Sequence, residues 1–470
     1  MNYGYWLLAR ALLPEMTLVA GALLVLAYDL IRGRQHTPAE RRSAALWIGA
    51  TALAAAIYDS VSVGRLGPVY GGTLVIDQLA LASRTGVLGL TLLTLGVIAG
   101  SKPARHPAEY VAIILFATTG FMLMAAANNL LVAFVALELA SLSLYILAGF
   151  AKDRRESAEA ALKYFLFGGM AAAFLLFGFS LIYGVTGELD LMRVSFALIH
   201  GGMTPLLALA LVMVLVAFGF KAAAAPFHLW APDAYEGAPT PSAALIASAS
   251  KLAGFTLFFR LFWSGLGAVA GDLTAGGSAG WMTLLALLSG ASLLLGNFAA
   301  LAQSNVRRLL AYSAIAHAGV MLLGVIAAEI AGPGPLFYYA ATYGIATAGA
   351  FGVIAVLEAN GGCQKITDLA GLRRRSPLLA GFFGKFAVFA AALKISGVAG
   401  PAGWLTLLAI ALSAVALYYY LIVLKQALVE PAPEKTGWIR VPTAAACTLV
   451  VAAALIVLLG VFPSLVLGLF

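Results

Sequence analysis

The chain has 470 residues, of which 62% are apolar and only 10% are Asp, Glu, Lys or Arg. Soluble domains run near 45–50% apolar and about 25% charged, and so few polar groups cannot cover a water-facing surface of this size. A soluble enzyme, a nucleic-acid binder and a disordered scaffold are excluded; the net charge of +8 is read as a mark of membrane topology instead.

A helix crossing roughly 30 Å of hydrocarbon needs about 20 mostly apolar residues. Such runs lie at 11–31, 43–61, 78–100, 108–127, 129–150, 160–184, 204–227, 239–263, 280–303, 306–328, 335–358, 377–396, 402–427 and 443–468. The composition therefore predicts an all-α integral membrane protein of about fourteen transmembrane helices. The opening MNYGYWLLAR has no basic stretch before its apolar residues and reads as the approach to a retained first span. Short joints at 127–129 and 303–306 fit helical hairpins, and the alternating strands of a barrel are not seen.

Loop charges test the span count independently. The connections after odd-numbered spans hold eighteen of the 28 basic residues, whereas those after even-numbered spans carry Arg65 and Arg193. This bias places the odd loops in the cytoplasm and both termini on the non-cytoplasmic side. The seventh loop is silent, with Asp233 and Glu236 but no Lys or Arg. The triplet Arg373–Arg375 reads as a topogenic cluster. Cys363 and Cys447 lie far apart and form no CxxC or Cys/His group, so no zinc or iron–sulfur ligation is expected. No phosphate-binding glycine loop or nucleophile triad is found either.

Ionisable residues at bilayer depth cost several kcal/mol, and each is a functional candidate. Glu138, Lys221, Lys251 and Lys385 stand near the middle of apolar spans, and His317 joins them in YSAIAHAGVM. Each alone is compatible with a satisfied buried pair; three lysines and a carboxylate together resemble a proton relay. A lysine ordinarily titrates near pH 10.4; desolvation favours its neutral form and a nearby carboxylate its charged form. Movement of Glu138 toward or away from Lys221 is thus expected to hold or release a proton. Pro226, five residues after Lys221, removes a helical donor and breaks the seventh span, as ion sites in transporters do. Lys163 is placed either to meet Glu138 or to reach the interface. His228 lines a cytoplasmic opening or caps a helix; Asp233 and Glu236 attract protons there or simply face solvent. Arg84, Arg260 and Lys394 snorkel or pair near span ends.

The segment FKAAAAPFHLWAPDAYEGAPTPSAALIASASKLAGF (220–255) resembles the signature of the antiporter-like subunits of respiratory complex I. Asn129–Glu138, KYFLFGG (163–169), ALAQSNVRRLLAYSAIAHAGVMLLG (300–324) and GFFGKF (381–386) match in the same order, so the resemblance covers nearly the whole chain. Lys251 stands where sister subunits bear histidine, Lys385 where one has glutamate, and no lateral-helix extension follows span fourteen.

The resemblance implies two inverted five-helix repeats, each with a discontinuous helix. The divisions are 1–106 for the first three spans, 107–265 for spans four to eight, 278–428 for spans nine to thirteen, and 440–470 for the last. It implies Glu138 as modulating carboxylate, Lys221 as pumping lysine, Lys251 and His317 as central relay groups and Lys385 as the exit-side lysine. Lys163 and His228 are further relay candidates. It also implies a proton-translocating subunit of a bacterial inner-membrane NADH:quinone oxidoreductase, with no cofactor of its own. Flavin, iron–sulfur clusters and quinone are expected in partner subunits, and a neighbouring antiporter-like subunit and small membrane subunits are the expected contacts. A Na⁺/H⁺ antiporter subunit of the multi-component type shares the 220–255 text, and a structural subunit with an inactive channel is the plainer alternative. In one respect the sequence departs from the family: RRRSPLLA runs directly into GFFGKF, without the longer apolar stretch and its Pro-Pro-Thr break. The twelfth span is therefore expected to be abbreviated.

Overall fold

A computed structural model describes residues 2–102, 104–273, 278, 280–379, 403–432 and 437–470. A short helix α1 (Asn2–Ala11) leads into α2 (Leu13–Arg32) and α3 (Pro38–Val63). An antiparallel hairpin of β1 (Gly67–Val69) and β2 (Leu74–Ile76), with Val69 opposite Leu74, joins α3 to α4 (Gln78–Gly100). Then follow α5 (Pro107–Ala126), α6 (Leu130–Ala148) and the long α7 (Arg155–Thr186). After α8 (Leu191–Gly201) come α9 (Pro205–Ala222), α10 (Trp230–Gly237), α11 (Thr240–Ala247) and α12 (Ala249–Phe259). The remaining α-helices among the described residues are α13 (Trp281–Leu301), α14 (Val306–Ala331), α15 (Gly334–Ala359), the single-turn α16 (Leu372–Arg375), α17 (Gly403–Leu428), α18 (Thr443–Val461) and the single-turn α19 (Ser464–Leu467).

Among the described residues, thirteen helical segments are long and apolar enough to cross a membrane, with α11 and α12 counting together as Thr240–Gly265. They coincide with thirteen of the predicted spans. The remaining predicted span, 377–396, falls mainly on 380–402, outside the described residues, and Lys385 and Lys394 lie outside them too. The segment 191–201, too short to cross, forms an amphipathic helix capped by Asp190, with Leu191, Val194 and Leu198 buried and Met192, Phe196 and Ile199 exposed.

The seventh span departs from the expected proline-broken helix over 204–227. Its helix ends at Ala222, and Ala223 takes a left-handed conformation (φ +58°). A residue before proline disfavours helical backbone, so the turn has to close ahead of Ala225. The N–H groups of Ala223 and Ala224 donate to the carbonyls of Phe220 and Gly219 at 2.9 and 2.8 Å. The Ala225 N–H donates to Ser292 Oγ at 2.8 Å, and Trp230 Nε1 donates to the Phe220 carbonyl at 3.0 Å. Backbone freed at membrane depth thus finds protein partners. The eighth span, in which the sequence reading marked no break, is broken at Ser248 (φ −114°, ψ −87°). Ser248 Oγ donates back to the Ala244 carbonyl at 2.6 Å.

These breaks sit in the interior. The most apolar stretches of Thr240–Gly265 and α15 are 94% buried, whereas that of α18 is 22% buried and those of α2, α7 and α17 are 33% buried. Helices in lipid associate through close packing rather than water exclusion, which favours small residues at contacts. Gly120 of α5 meets the Ala140 backbone of α6, and Gly296 of α13 meets Ala316 of α14. A β-carbon at Gly296 would stand 2.5 Å from the Ala316 nitrogen. Arg84 and Arg260 pair rather than snorkel: Arg84 with Glu15 at 2.6 Å and Arg260 with Asp77 at 2.5 Å.

Gly296→Val should force α13 from α14, costing about 1–3 kcal/mol as overpacking does. A lowered thermal midpoint in detergent, absent for Gly169→Val on the open face of α7, is the expected result.

Candidate functional site

The two breaks set the lysines. Lys221 occupies the last turn of α9 before Ala223, and Lys251 the first turn of α12, its backbone N–H donating to the Ser248 carbonyl at 3.0 Å. Both are buried. They line one narrow gap of about 10 Å³, bordered by Gly254 and walled by Phe218, Phe255 and Phe258.

Lys221 Nζ donates to Ser141 Oγ at 3.4 Å and lies 6.0 Å from the centre of the Phe121 ring. Glu138, one turn before Ser141 on α6, is half-buried, and its Oε1 has no hydrogen-bond partner among the described residues. Glu138 and Lys221 form no ion pair within 4.0 Å, yet their charges interact. The lysine is therefore placed between a neutral hydroxyl and an under-partnered carboxylate.

Beyond the gap, Lys251 Nζ donates to the Ala314 carbonyl at 2.6 Å and lies 5.6 Å from the centre of the Tyr343 ring. Tyr343 in turn packs on His317, ring centres 4.7 Å apart. His317 Nδ1 shares a hydrogen bond with Tyr339 OH at 2.7 Å, and its Nε2 lies 3.5 Å from Tyr420 OH. Tyr420 also hydrogen-bonds Ser313. Both ring nitrogens of His317 thus face hydroxyls, the arrangement in which an imidazole can accept a proton on one side and donate from the other.

Lys163 is not beside Glu138. It pairs with Glu159 at 2.7 Å and with Asp233 at 2.6 Å. Asp233 and Glu236 are not loose proton attractors either: Arg308 Nη1 reaches both at 2.8 Å, and Asn305 Nδ2 donates to Glu236 Oε1 at 2.8 Å. These bonds strap α10 to α7 and α14, while Trp230 stacks on Tyr164 with ring centres 4.2 Å apart. His228 is buried just past the break, and its Nδ1 has no hydrogen-bond partner among the described residues.

Ser141, Tyr339, Tyr343 and Tyr420 were not singled out from sequence. The pair Tyr339 and Tyr343 had a usable signal, two hydroxyl-bearing rings spaced i, i+4 on one apolar helix. Ser141, three residues after Glu138, gives only the weak signal of a small polar residue.

With this geometry in hand, the family model described as NADH:quinone oxidoreductase/Mrp antiporter, TM matches residues 127–429, a segment holding Glu138, Lys221, Lys251 and His317. The chain belongs to that family. Within the family it is 45% identical to the NADH-quinone oxidoreductase subunit N 2 of Acidobacterium capsulatum, over 98% of both chains. That alignment runs over 495 residues against 470 here. The relative therefore carries residues with no counterpart in this chain. A chain of respiratory complex I from Thermus thermophilus superposes with a TM-score of 0.78 at 33% identity, covering 97% of this chain and 98% of that one. A chain of the Mrp complex from Dietzia sp. shares the fold, with a TM-score of 0.82 at 20% identity over 98% of this chain and 96% of its own.

Burial alone raises the Asp233 carboxyl, but hydrogen bonds from Lys163 and Arg308 outweigh it and hold it below the ordinary carboxylate range. Its contribution to the strap is therefore complete above roughly pH 4 and fades as pH falls through the depressed native value. Asp233→Asn should flatten the acid side of the thermal-stability profile in detergent. Arg308→Ala should lower stability by about 1 kcal/mol at neutral pH, the scale of a partly exposed ion-pair network.

Proposed function

We propose that Glu138, Lys221, Lys251 and His317 carry protons through the membrane, with Lys385 on the exit side. The chain is a proton-translocating, antiporter-like membrane subunit of an NADH:quinone oxidoreductase, working with the other subunits of that complex. One observation carries the relay: two buried lysines, each at a helix break, face the same gap, and the polar row continues from Lys251 through Tyr343 to His317.

Lys221 exchanges between Ser141 and Glu138. With the carboxylate close the ammonium keeps its proton; with the carboxylate away, the proton passes toward Lys251. Uptake lies on the cytoplasmic side, where His228 stands behind the α10 strap. Both termini are on the opposite side of a bacterial inner membrane. Flavin, iron–sulfur clusters and quinone are held by partner subunits, a neighbouring antiporter-like subunit and small membrane subunits adjoin this chain, and quinone reduction elsewhere supplies the drive. That drive is needed because each charge moved against 100 mV costs about 2.3 kcal/mol.

Lys221→Ala and Glu138→Ala test the reading in inverted membranes given NADH and quinone. Expected are normal assembly and a loss of coupled proton translocation of roughly tenfold or more for Lys221→Ala, as for an essential proton-transfer group. Parent rates in both variants would leave the chain a structural subunit. A sodium gradient that survives a protonophore would instead favour sodium coupling.

A further inference from the structure

The helix α8 (Leu191–Gly201) presents three separate faces. Leu191, Val194 and Leu198, spaced i, i+3 and i+7, are buried, and Leu191 packs on Gly265, where a β-carbon would stand 3.0 Å from its Cδ2. Met192, Phe196 and Ile199, spaced i, i+4 and i+7, make a second apolar face and stand 64%, 66% and 65% exposed. Arg193 and His200, also seven apart, are exposed on a third, polar face. One side of the helix has its protein partner and one is polar, while a large apolar side is uncovered within this chain.

The depth of α8 is fixed by what it is tied to. Only 187–190 and 202–204 separate it from α7 and α9, both long and apolar enough to span, and four or three extended residues reach about 14 Å or about 11 Å at most. Both connections turn through left-handed glycines, Gly187 (φ +70°) and Gly202 (φ +65°). The start of α8 is also laced to the α5–α6 joint, itself a span end. The Leu130 N–H donates to the Leu189 carbonyl at 2.9 Å, the Leu191 N–H to the Asn128 carbonyl at 3.0 Å, and Asn128 Nδ2 to Asp190 Oδ2 at 3.1 Å. The helix it follows, α7, lies at the rim of the bundle, its most apolar stretch only 33% buried, and the flanking Tyr183, Met203 and Leu206 are exposed as well. An apolar face beside a polar one, held at the level where spans end, matches the boundary between hydrocarbon and water. We propose that lipid covers this face: α8 lies in the boundary of one leaflet, with Met192, Phe196 and Ile199 among the acyl chains just below the headgroups and Arg193 and His200 among the headgroups. The helix then anchors the Asn128 joint, which also donates to the Gly72 carbonyl of the hairpin at 2.8 Å, at the membrane surface.

The test uses the assembled parent complex in lipid nanodiscs, with phosphatidylglycerol carrying a diazirine at either the carboxyl end or the terminal methyl of an acyl chain. After illumination, the carboxyl-end probe should label Met192, Phe196 and Ile199 several-fold more than Arg193 and His200. It should also label them several-fold more than the terminal-methyl probe does, because an interfacial helix sinks only about 5–10 Å into the boundary. An unlabelled α8, or equal labelling by the two probes, overturns the proposal. A second complex carries the photo-crosslinker p-benzoylphenylalanine in place of Phe196. Adducts confined to phospholipid support the proposal; an adduct with another subunit or with a second copy of this chain makes the face a protein interface and overturns it. Should that variant not assemble, labelling of the parent complex decides.

Discussion

Two lysine side chains buried between helices constrain this molecule. An ion there loses its hydration, and nearby dipoles and charges must replace it. Among the described residues Lys221 and Lys251 meet that demand sparingly, one with a serine hydroxyl and an aromatic face, the other with a carbonyl and a second aromatic face. Full pairing would hold the charge permanently. Partial pairing leaves each group able to change partner, and that is the property a carrier of protons requires.

The helix breaks follow from the same constraint. An intact helix turns all its carbonyls to its own amides; a broken one frees backbone for neighbours but needs other donors in return. Ser292, Trp230 and Ser248 meet this need around Ala223 and Ser248. The α10 segment between the breaks is tied to α7 through Lys163 and to α14 through Arg308. A shift of α14, which also carries His317 and the carbonyl that holds Lys251, is therefore felt at the segment leading out of Lys221. The two halves of the polar row are joined by ion pairs at one end and by packed aromatic rings at the centre.

Packing makes this polar interior affordable. The most buried helices, α12 and α15, carry Lys251, Tyr339 and Tyr343, while α2, α7, α17 and α18 expose many large apolar side chains. Glycines at the α5–α6 and α13–α14 contacts bring backbones close, so dispersion compensates for the absence of a hydrophobic drive in lipid. Ala316, against which Gly296 packs, directly precedes His317 on α14.

Lipid rejects charge, so membrane class, thirteen of the spans and the exceptional residues Glu138, Lys221, Lys251 and His317 could all be read locally, from apolar runs and what interrupts them. Pro226 marked a break nearby for the same reason, since a missing N–H is a property of one residue. The break at Ser248 had no such marker: a serine is compatible with a helix, and only its neighbours' hydrogen bonds decide otherwise. Lys163 shows the limit most clearly. Its sequence position allowed Glu138 or the interface, and its partner proved to be Asp233, seventy residues away. Ser141 beside Lys221, the tyrosines around His317 and the gap bordered by Gly254 belong to the tertiary structure alone. Hydropathy and spacing specify which face of a helix is polar, but the distance between polar groups on different helices is set by packing.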